Sequence, residues 1–330
     1  MQFAFKSIAY YIRRASLINL SGLAGSSNTT GDEQKKLDVI GNDVFIAAMR
    51  SSKRVRLLVS EEEEEIITFE SPDAHYAVAC DPIDGSSNLD AGVSVGTIFA
   101  IYRLEKDAKG TKEDLLRPGT DLVAAGFTMY GASAQLVMTM KGGSVNGFTM
   151  DSGLGEFILT HPDMQMPKKR AIYSCNEGNS KYWHEPVKEW VESLKNAEKP
   201  YSARYIGSMV ADAYRTLLYG GIFAYPADKK SPKGKLRILY ECGPMAMVFE
   251  NGMSCLCFYC RHVNWTDQQC SGRSGSRQQH EAHARCYARA YPRSEWYLYG
   301  QPRGGAKSHR HSQEAWCDWG VMSHPDGGFR

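Results

Sequence analysis

Five short runs between residues 55 and 151, "VRLLVS", "HYAVAC", "VSVGTIFAIY", "DLVAAGFTMYG" and "VNGFTMD", are rich in β-branched and aromatic residues, and Gly, Asp, Asn or Ser bound them. Runs of this length and composition specify strands, and their succession specifies a large sheet. Helical spacing appears on either side. The opening "MQFAFKSIAYYIRRASLINL" reads as an amphipathic helix, because its Lys and Arg lie inside the apolar pattern rather than ahead of it as in a targeting segment. "LDVIGNDVFIAAMRSS" (37 to 52), "KYWHEPVKEWVESLKN" and "SMVADAYRTLLYGG" have the same periodicity, and the last two flank the strand candidates "AIYSC" and "GIFAYPA". The pattern predicts a mixed α/β architecture in two domains. The first spans 1–164 and the second 165–252, with a boundary near "HPDMQMPKKR" where Pro and charge replace the apolar pattern.

Two acidic clusters stand at predicted strand ends. "SEEEEE" follows "VRLLV", so Glu61 and Glu62 leave one strand together; in "DPIDGSSNLD" (81 to 90) Asp81 and Asp84 leave another, with Pro82 preventing regular continuation. Taken singly, the first reads as a solvated charge run, "DPIDG" as a turn and "GSSN" as a loop or helix cap. Together they describe a site. Carboxylates held this close repel one another unless cations sit among them, and hard oxygen ligands suit Mg²⁺ or Mn²⁺. Gly85, Ser86 and Ser87 add backbone approach without a Cβ, two hydroxyls and N–H groups at a helix start, which is what a phosphate needs. The combination points to metal-assisted phosphoryl chemistry.

Composition removes several other classes. Lys plus Arg (39) nearly balances Asp plus Glu (37), so no whole-chain charge recruits nucleic acid or an anionic membrane. No apolar run reaches the length of a membrane span. Of nine Cys, only Cys80, Cys175 and Cys242 precede residue 253, each in a strand-like setting that suits a reducing compartment. The tail from Met253 to Arg330 has a different composition: no Ile, two Leu, two Val, six Cys, six His, four Trp and nine Arg. So little branched aliphatic surface predicts no ordinary core there.

The stretches "KKLDVIGNDVF", "LVSEE", "DPIDGSSNLDAGVSVGTIFAIYR", "LVAAGFTMYG", "NEGN" and "ARYIGSMVADAYRTLLYGGIFAYPADKKSPKGKLRILYECGPMA" resemble the fructose-1,6-bisphosphatase family, nearly continuously from Phe5 to Glu250. The D-P-x-D-G-S pattern is shared with the wider class of Mg²⁺-dependent, lithium-sensitive sugar and inositol phosphatases, whereas "GGIFAYPADKKSPKGKLRILYE" is specific to the family. The resemblance implies a layered α-β-α-β-α fold and hydrolysis of fructose 1,6-bisphosphate to fructose 6-phosphate and phosphate, a gluconeogenic reaction. It makes Glu61, Asp81, Asp84 and Glu241 metal ligands, with the Ile83 carbonyl as a further one, for more than one ion per site. Asp32 and Asp38 match the acids of a mobile loop. Asp38 with Glu62 would position and deprotonate the attacking water. Ser86 and Ser87, with Asp84 and Gly85, would hold the 1-phosphate end. Asn176, Tyr205, Tyr225 and Lys235 match the pocket for the 6-phosphate, Arg204 would arrive from a neighbouring subunit, and Met209 would pack on the sugar. Read without the resemblance, those Tyr are half-buried strand aromatics and "DKKSPKGK" is a polar turn.

The resemblance also implies a cytoplasmic homotetramer, since "EKDAKGTKEDLLRPGT" carries no cysteine-bearing insertion of the plastid kind. It implies a weakened AMP response. The chain starts near what would be the family's second helix, and His75 stands where many members have Lys, although Tyr76 and Arg103 match AMP-contacting positions. The tail does not match, so the second sheet is expected to be incomplete and residues 253–330 to be disordered or translated out of frame. A zinc module drawing on Cys255, Cys257, Cys260, Cys270 and His262 is the competing reading of the tail. The competing functions are an inositol-phosphate or sedoheptulose bisphosphate phosphatase, and a non-catalytic product whose altered C-terminus prevents assembly.

Overall fold

The computed structural model describes residues 1–252, apart from 21, 29–32, 72, 106 and 168–169, and the backbone of 257–259 and 321–323. Helix α1 (Gln2–Arg14) is followed by a short hairpin of β1 (Leu23–Ser27) and β2 (Glu33–Lys35), then by α2 (Lys36–Ser52). Eight strands come next: β3 (Val55–Ser60), β4 (Ile67–Thr68), β5 (Tyr76–Asp84), β6 (Gly96–Arg103), β7 (Leu122–Tyr130), β8 (Ala134–Met140), β9 (Asn146–Asp151) and β10 (Glu156–His161). They form one sheet in the order β10-β9-β8-β7-β6-β5-β3-β4. Every pairing is antiparallel except β3 with β5, which run parallel and so finish side by side.

Both faces of the sheet are covered. Side chains alternate, so Leu58, Val78, Cys80 and Phe99 face Ala4 and Phe5 of α1 and Phe45, Ala48 and Met49 of α2. Leu57, Ala77, Ala79, Ala100 and Ala125 face the other way, toward Tyr240 and toward Met247 of α5 (Gly243–Asn251). Sandwiched burial explains why the central strands read as continuous apolar runs in the sequence. Truncating a fully buried anchor such as Phe45 to Ala would cost roughly 3–5 kcal/mol.

Beyond the large sheet come β11 (Ile172–Ser174), α3 (Glu185–Lys195), β12 (Ser202–Ala203), α4 (Met209–Tyr219) and β13 (Ile222–Ala224), with β14 (Cys257–Tyr259) and β15 (Val321–Ser323) in the tail. The second sheet has the order β12-β11-β13-β15-β14. Its first three strands are parallel and its tail strands antiparallel. Val187, Trp190, Val191 and Leu194 of α3 pack with Tyr173, Ile222 and Ala224 of this sheet. The other expectations for the tail, including its Cys and His set, lie outside the described residues.

The chain groups into two compact units that interleave in sequence. Met1–Met166, Ile206–Leu218 and Arg237–Ser254 form the first, and Pro167–Tyr205, Tyr219–Leu236 and Cys255–Arg330 the second. α5 joins the first unit because its apolar side rests on the large sheet. No helix among the described residues is long and apolar enough to cross a membrane.

Candidate active site

The acidic clusters meet at the common end of β3 and β5. In a regular strand, residues three apart point to opposite faces, which would separate Asp81 from Asp84. The pairing with β6 slips here: Asp81 lies opposite Ile98 and Asp84 opposite Gly96, so three steps on β5 face two on β6. The extra residue is a bulge, and it turns both aspartates to the same side. Pro82, which has no N–H to donate, sits inside it. Gly96 is required opposite: a Cβ there would lie 1.9 Å from the Thr128 carbonyl oxygen.

Glu61 enters from β3, its N–H donating to the Cys80 carbonyl at 3.1 Å. Glu241 arrives on a π-turn (Ile238–Cys242) and accepts a hydrogen bond from the Arg237 N–H. Carboxylate oxygens of Asp81, Asp84 and Glu241 all lie within 4.8 Å of one another, and the three residues are buried. The Arg237 guanidinium stands 4.0 Å from Glu61, at the limit of an ion pair. Such a cluster cannot stay fully ionised without cations. Burial, then the neighbouring Glu61 charge, pushes Asp81 well above the usual carboxylate range. Burial pushes Asp84 up to about 7, although the Val210 N–H favours its charge, and pushes Glu241, with help from Glu61 and Asp84, to about 8. One oxygen of Asp81, Oδ1, is buried with no hydrogen-bond partner among the described residues. A buried acceptor left over among mutually repelling acids fits a hard divalent cation. The Ile83 carbonyl belongs to the same bulge, and the Ile83 side chain is buried where a Cβ on Gly41 of α2 would touch it.

Asp38 and Glu62 form the adjoining pair. Asp38 occupies the first turn of α2 and accepts the Lys35 N–H at 2.7 Å, a capping position favoured by the helix dipole. Its Oδ1 is also buried without a partner among the described residues. Burial raises Asp38 to about 6, and raises Glu62 to about 7 against the hydrogen bond that Gln34 donates to it at 2.6 Å. Asp32 lies outside the described residues.

After Asp84 the chain turns through Gly85, in the left-handed region at φ 78°, into a short 3-10 helix, Ser86–Ala91. The sequence predicted a helix start here, and the structure places the Ser86 and Ser87 hydroxyls and N–H groups on that turn. Met209 opens α4, and the Val210 N–H of its first turn donates to Asp84 Oδ2 at 3.1 Å. Asp84 thus caps α4 from a distant part of the chain.

The second unit holds the remaining candidates. Asn176 and Tyr225 are brought together by a side-chain hydrogen bond, and burial holds the Tyr225 phenol above its ordinary range. Arg204 is exposed, its N–H on the Tyr173 carbonyl at 2.8 Å; Tyr205 is partly exposed and Lys235 exposed. The positions singled out for AMP, Tyr76 and Arg103, stand opposite each other on β5 and β6.

Some residues that shape the site escaped sequence reasoning. The Ser60 hydroxyl donates to Asn42 Oδ1 at 2.8 Å, and Asn42 Nδ2 donates to Glu63 at 2.6 Å, which ties the acidic turn to α2. Asn42 lies on the apolar side of a helix, and a polar residue in that position was the available signal.

Acids that need cations, set beside a turn open to phosphate at the ends of paired strands, define a phosphatase of the metal-dependent kind. Comparison with known proteins narrows the class. The family model for "Fructose-1-6-bisphosphatase, N-terminal domain" matches residues 1–162, and that for "Fructose-1-6-bisphosphatase, C-terminal domain" matches 166–255. The chain belongs to the fructose-1,6-bisphosphatase family. It is 60% identical over 255 residues to fructose-1,6-bisphosphatase of Saccharomyces cerevisiae, covering 76% of this chain and 73% of that one. It is 56% identical over 250 residues to the cytosolic fructose-1,6-bisphosphatase of Oryza sativa subsp. indica, covering 74% and 73%. Among solved structures, fructose-1,6-bisphosphatase of Leishmania major in its holo form matches with a TM-score of 0.73 and 50% identity, over 76% of this chain and 79% of that one.

Proposed function

We propose that the chain hydrolyses fructose 1,6-bisphosphate to fructose 6-phosphate and inorganic phosphate, the gluconeogenic reaction, with Mg²⁺ or Mn²⁺ as cofactor. The observation that carries the reading is the buried cluster of Asp81, Asp84 and Glu241, with Glu61 beside it, next to the Gly85–Ser87 turn. Glu61, Asp81, the Ile83 carbonyl, Asp84 and Glu241 would hold more than one cation. When bound, these supply Lewis-acid stabilisation of the phosphoryl oxygens.

The protein's own groups do the rest. Glu62 and Asp38, raised toward neutrality by burial, suit general-base work near pH 7: they orient the attacking water and take its proton. The water oxygen bonds to phosphorus as the phosphorus bond to the sugar C1 oxygen breaks; that oxygen leaves with the bonding pair and takes a proton from solvent, in one displacement without a phosphoenzyme. The Ser86 and Ser87 hydroxyls and the N–H groups after Gly85 receive the departing phosphate. Asp32 is carried over from the family resemblance as a further acid, from the segment that precedes α2 in sequence. Met209 packs on the sugar. Asn176, Tyr205, Tyr225 and Lys235 bind the 6-phosphate, which is held and not cleaved, and Arg204 serves a neighbouring subunit in a homotetramer. The cytosolic relatives support a cytoplasmic setting.

Family membership favours this substrate over an inositol phosphate or sedoheptulose bisphosphate. A panel of the three at equal concentration tests it. The highest kcat/KM on fructose 1,6-bisphosphate is expected, and a higher value on either rival would overturn the assignment.

A further inference from the structure

The bulge that aims Asp81 and Asp84 at one point is held from behind by a closed set of hydroxyls. Thr97 Oγ1 donates to the Pro82 carbonyl at 2.7 Å. The same Oγ1 lies 2.9 Å from Tyr130 Oη. A threonine hydroxyl has one proton, and this one goes to Pro82, so Tyr130 must be the donor of that pair. Tyr130 in turn has a side-chain hydrogen bond with Thr128, whose Oγ1 accepts the Thr97 N–H at 3.1 Å. The run Thr97 N–H, Thr128, Tyr130, Thr97 O–H and Pro82 C=O thus leaves Thr97 by its N–H, returns to its hydroxyl and ends on the Pro82 carbonyl, with every hydroxyl used as donor and acceptor. Thr97 and Thr128 are fully buried and Tyr130 is 4% exposed, so water does not compete for these bonds.

Its location gives the set a purpose. Pro82 removes an N–H from the β5–β6 ladder where the register slips. The Thr97 hydroxyl fills the gap with a side-chain bond to the carbonyl between the two aspartates. A strand free to straighten would return Asp84 to the face opposite Asp81. We propose that Thr97 and Tyr130 are positioning residues for the metal ligands: their hydroxyl relay locks the β5 bulge so that Asp81, the Ile83 carbonyl and Asp84 face the same cations. The proposal rests on the metal-site reading given above.

Mn²⁺ binding to the metal-stripped full-length chain, followed by electron paramagnetic resonance of the free ion well below the unfolding temperature, tests it without recourse to turnover. Thr97→Val and Tyr130→Phe each delete one hydroxyl with little change in shape. Each is expected to weaken Mn²⁺ affinity about 10-fold or more, in the range typical of groups that orient metal ligands. The double variant should lose little beyond the worse single, because both interrupt one relay. Thr97→Ser, which keeps the hydroxyl, should restore most of the affinity. With Mn²⁺ saturating, KM for the sugar bisphosphate should stay at the wild-type value. Wild-type Mn²⁺ affinity in Tyr130→Phe and Thr97→Val, with only a lower Tm, would overturn the proposal. If Thr97→Val does not fold, Tyr130→Phe and Thr128→Val decide by the same criterion. Asp81→Asn is the reference: equal Mn²⁺ binding by it and the wild type would sink the metal-site reading itself, and the relay with it.

Discussion

Glu241→Gln should stabilise the metal-free protein and at the same time blunt its response to metal. The free Glu241 side chain titrates near 4.5, whereas in the fold burial and the charges of Glu61 and Asp84 raise it to about 8. Because the folded value is the higher, the fold retains a proton between these pH values that the unfolded chain has lost. Stability of the wild type therefore falls as pH rises through that window. At pH 7 the interval above 4.5, at 1.36 kcal/mol per unit, amounts to about 3 kcal/mol working against the fold. Glutamine does not titrate, and its side-chain oxygen can still accept the Arg237 N–H. In EDTA at pH 7 the variant should thus unfold roughly 6–12 °C above the wild type. The gap should close toward pH 4.5 and level off above about 8. Excess Mg²⁺ should close most of the gap, since a site filled to 100 times its Kd adds about 2.7 kcal/mol to the wild type and much less to a variant lacking one charged ligand. Thermal unfolding followed by tryptophan fluorescence, with and without Mg²⁺ across pH, reads all of this. A variant less stable than wild type in EDTA, or one with an undiminished Mg²⁺ response, would refute the reasoning.

Other perturbations separate the parts of the site. Asp81→Asn should lower kcat by about 100-fold or more with a modest change in KM, as measured by phosphate release at saturating substrate. Lys235→Ala should raise KM for fructose 1,6-bisphosphate roughly 10-fold, the worth of one charge-assisted hydrogen bond, while kcat stays near wild type. Equal KM effects in both would undo the division into metal site and distal phosphate site. Gly96→Ala should cost about 3 kcal/mol or more in denaturant unfolding, because its Cβ would meet the backbone of β7 at 1.9 Å.

The first unit was legible in the sequence where local pattern decides structure. α2 runs Lys36–Ser52 against an expected 37 to 52, and β3 coincides with "VRLLVS". Both acidic clusters stand at strand ends as predicted, because an apolar run followed by charge has to leave the core there. β8 and β10 were not picked out: "AQLVMTM" follows the bend at 131–133 but has no clean alternation, and its strand character comes from pairing with β7 and β9. Pro82 announced an interruption but not its consequence. That Asp81 and Asp84 share a face depends on the register against Ile98 and Gly96, a fact about two strands together. Asp84 capping α4 through Val210, 126 residues away, is likewise invisible to any local pattern. The residues proposed for the 6-phosphate were singled out through family resemblance alone, since a Tyr in "FAYPA" has no local mark of a ligand contact.

The account rests on metal-dependent removal of the 1-phosphate, and phosphorus NMR of fructose 1,6-bisphosphate with the purified full-length chain tests this directly. The 1-phosphate resonance should give way to an equal intensity of inorganic phosphate while the 6-phosphate persists. The change should stop on addition of excess EDTA and resume when Mg²⁺ is restored. Turnover undiminished by EDTA, or loss of the 6-phosphate first, would contradict it.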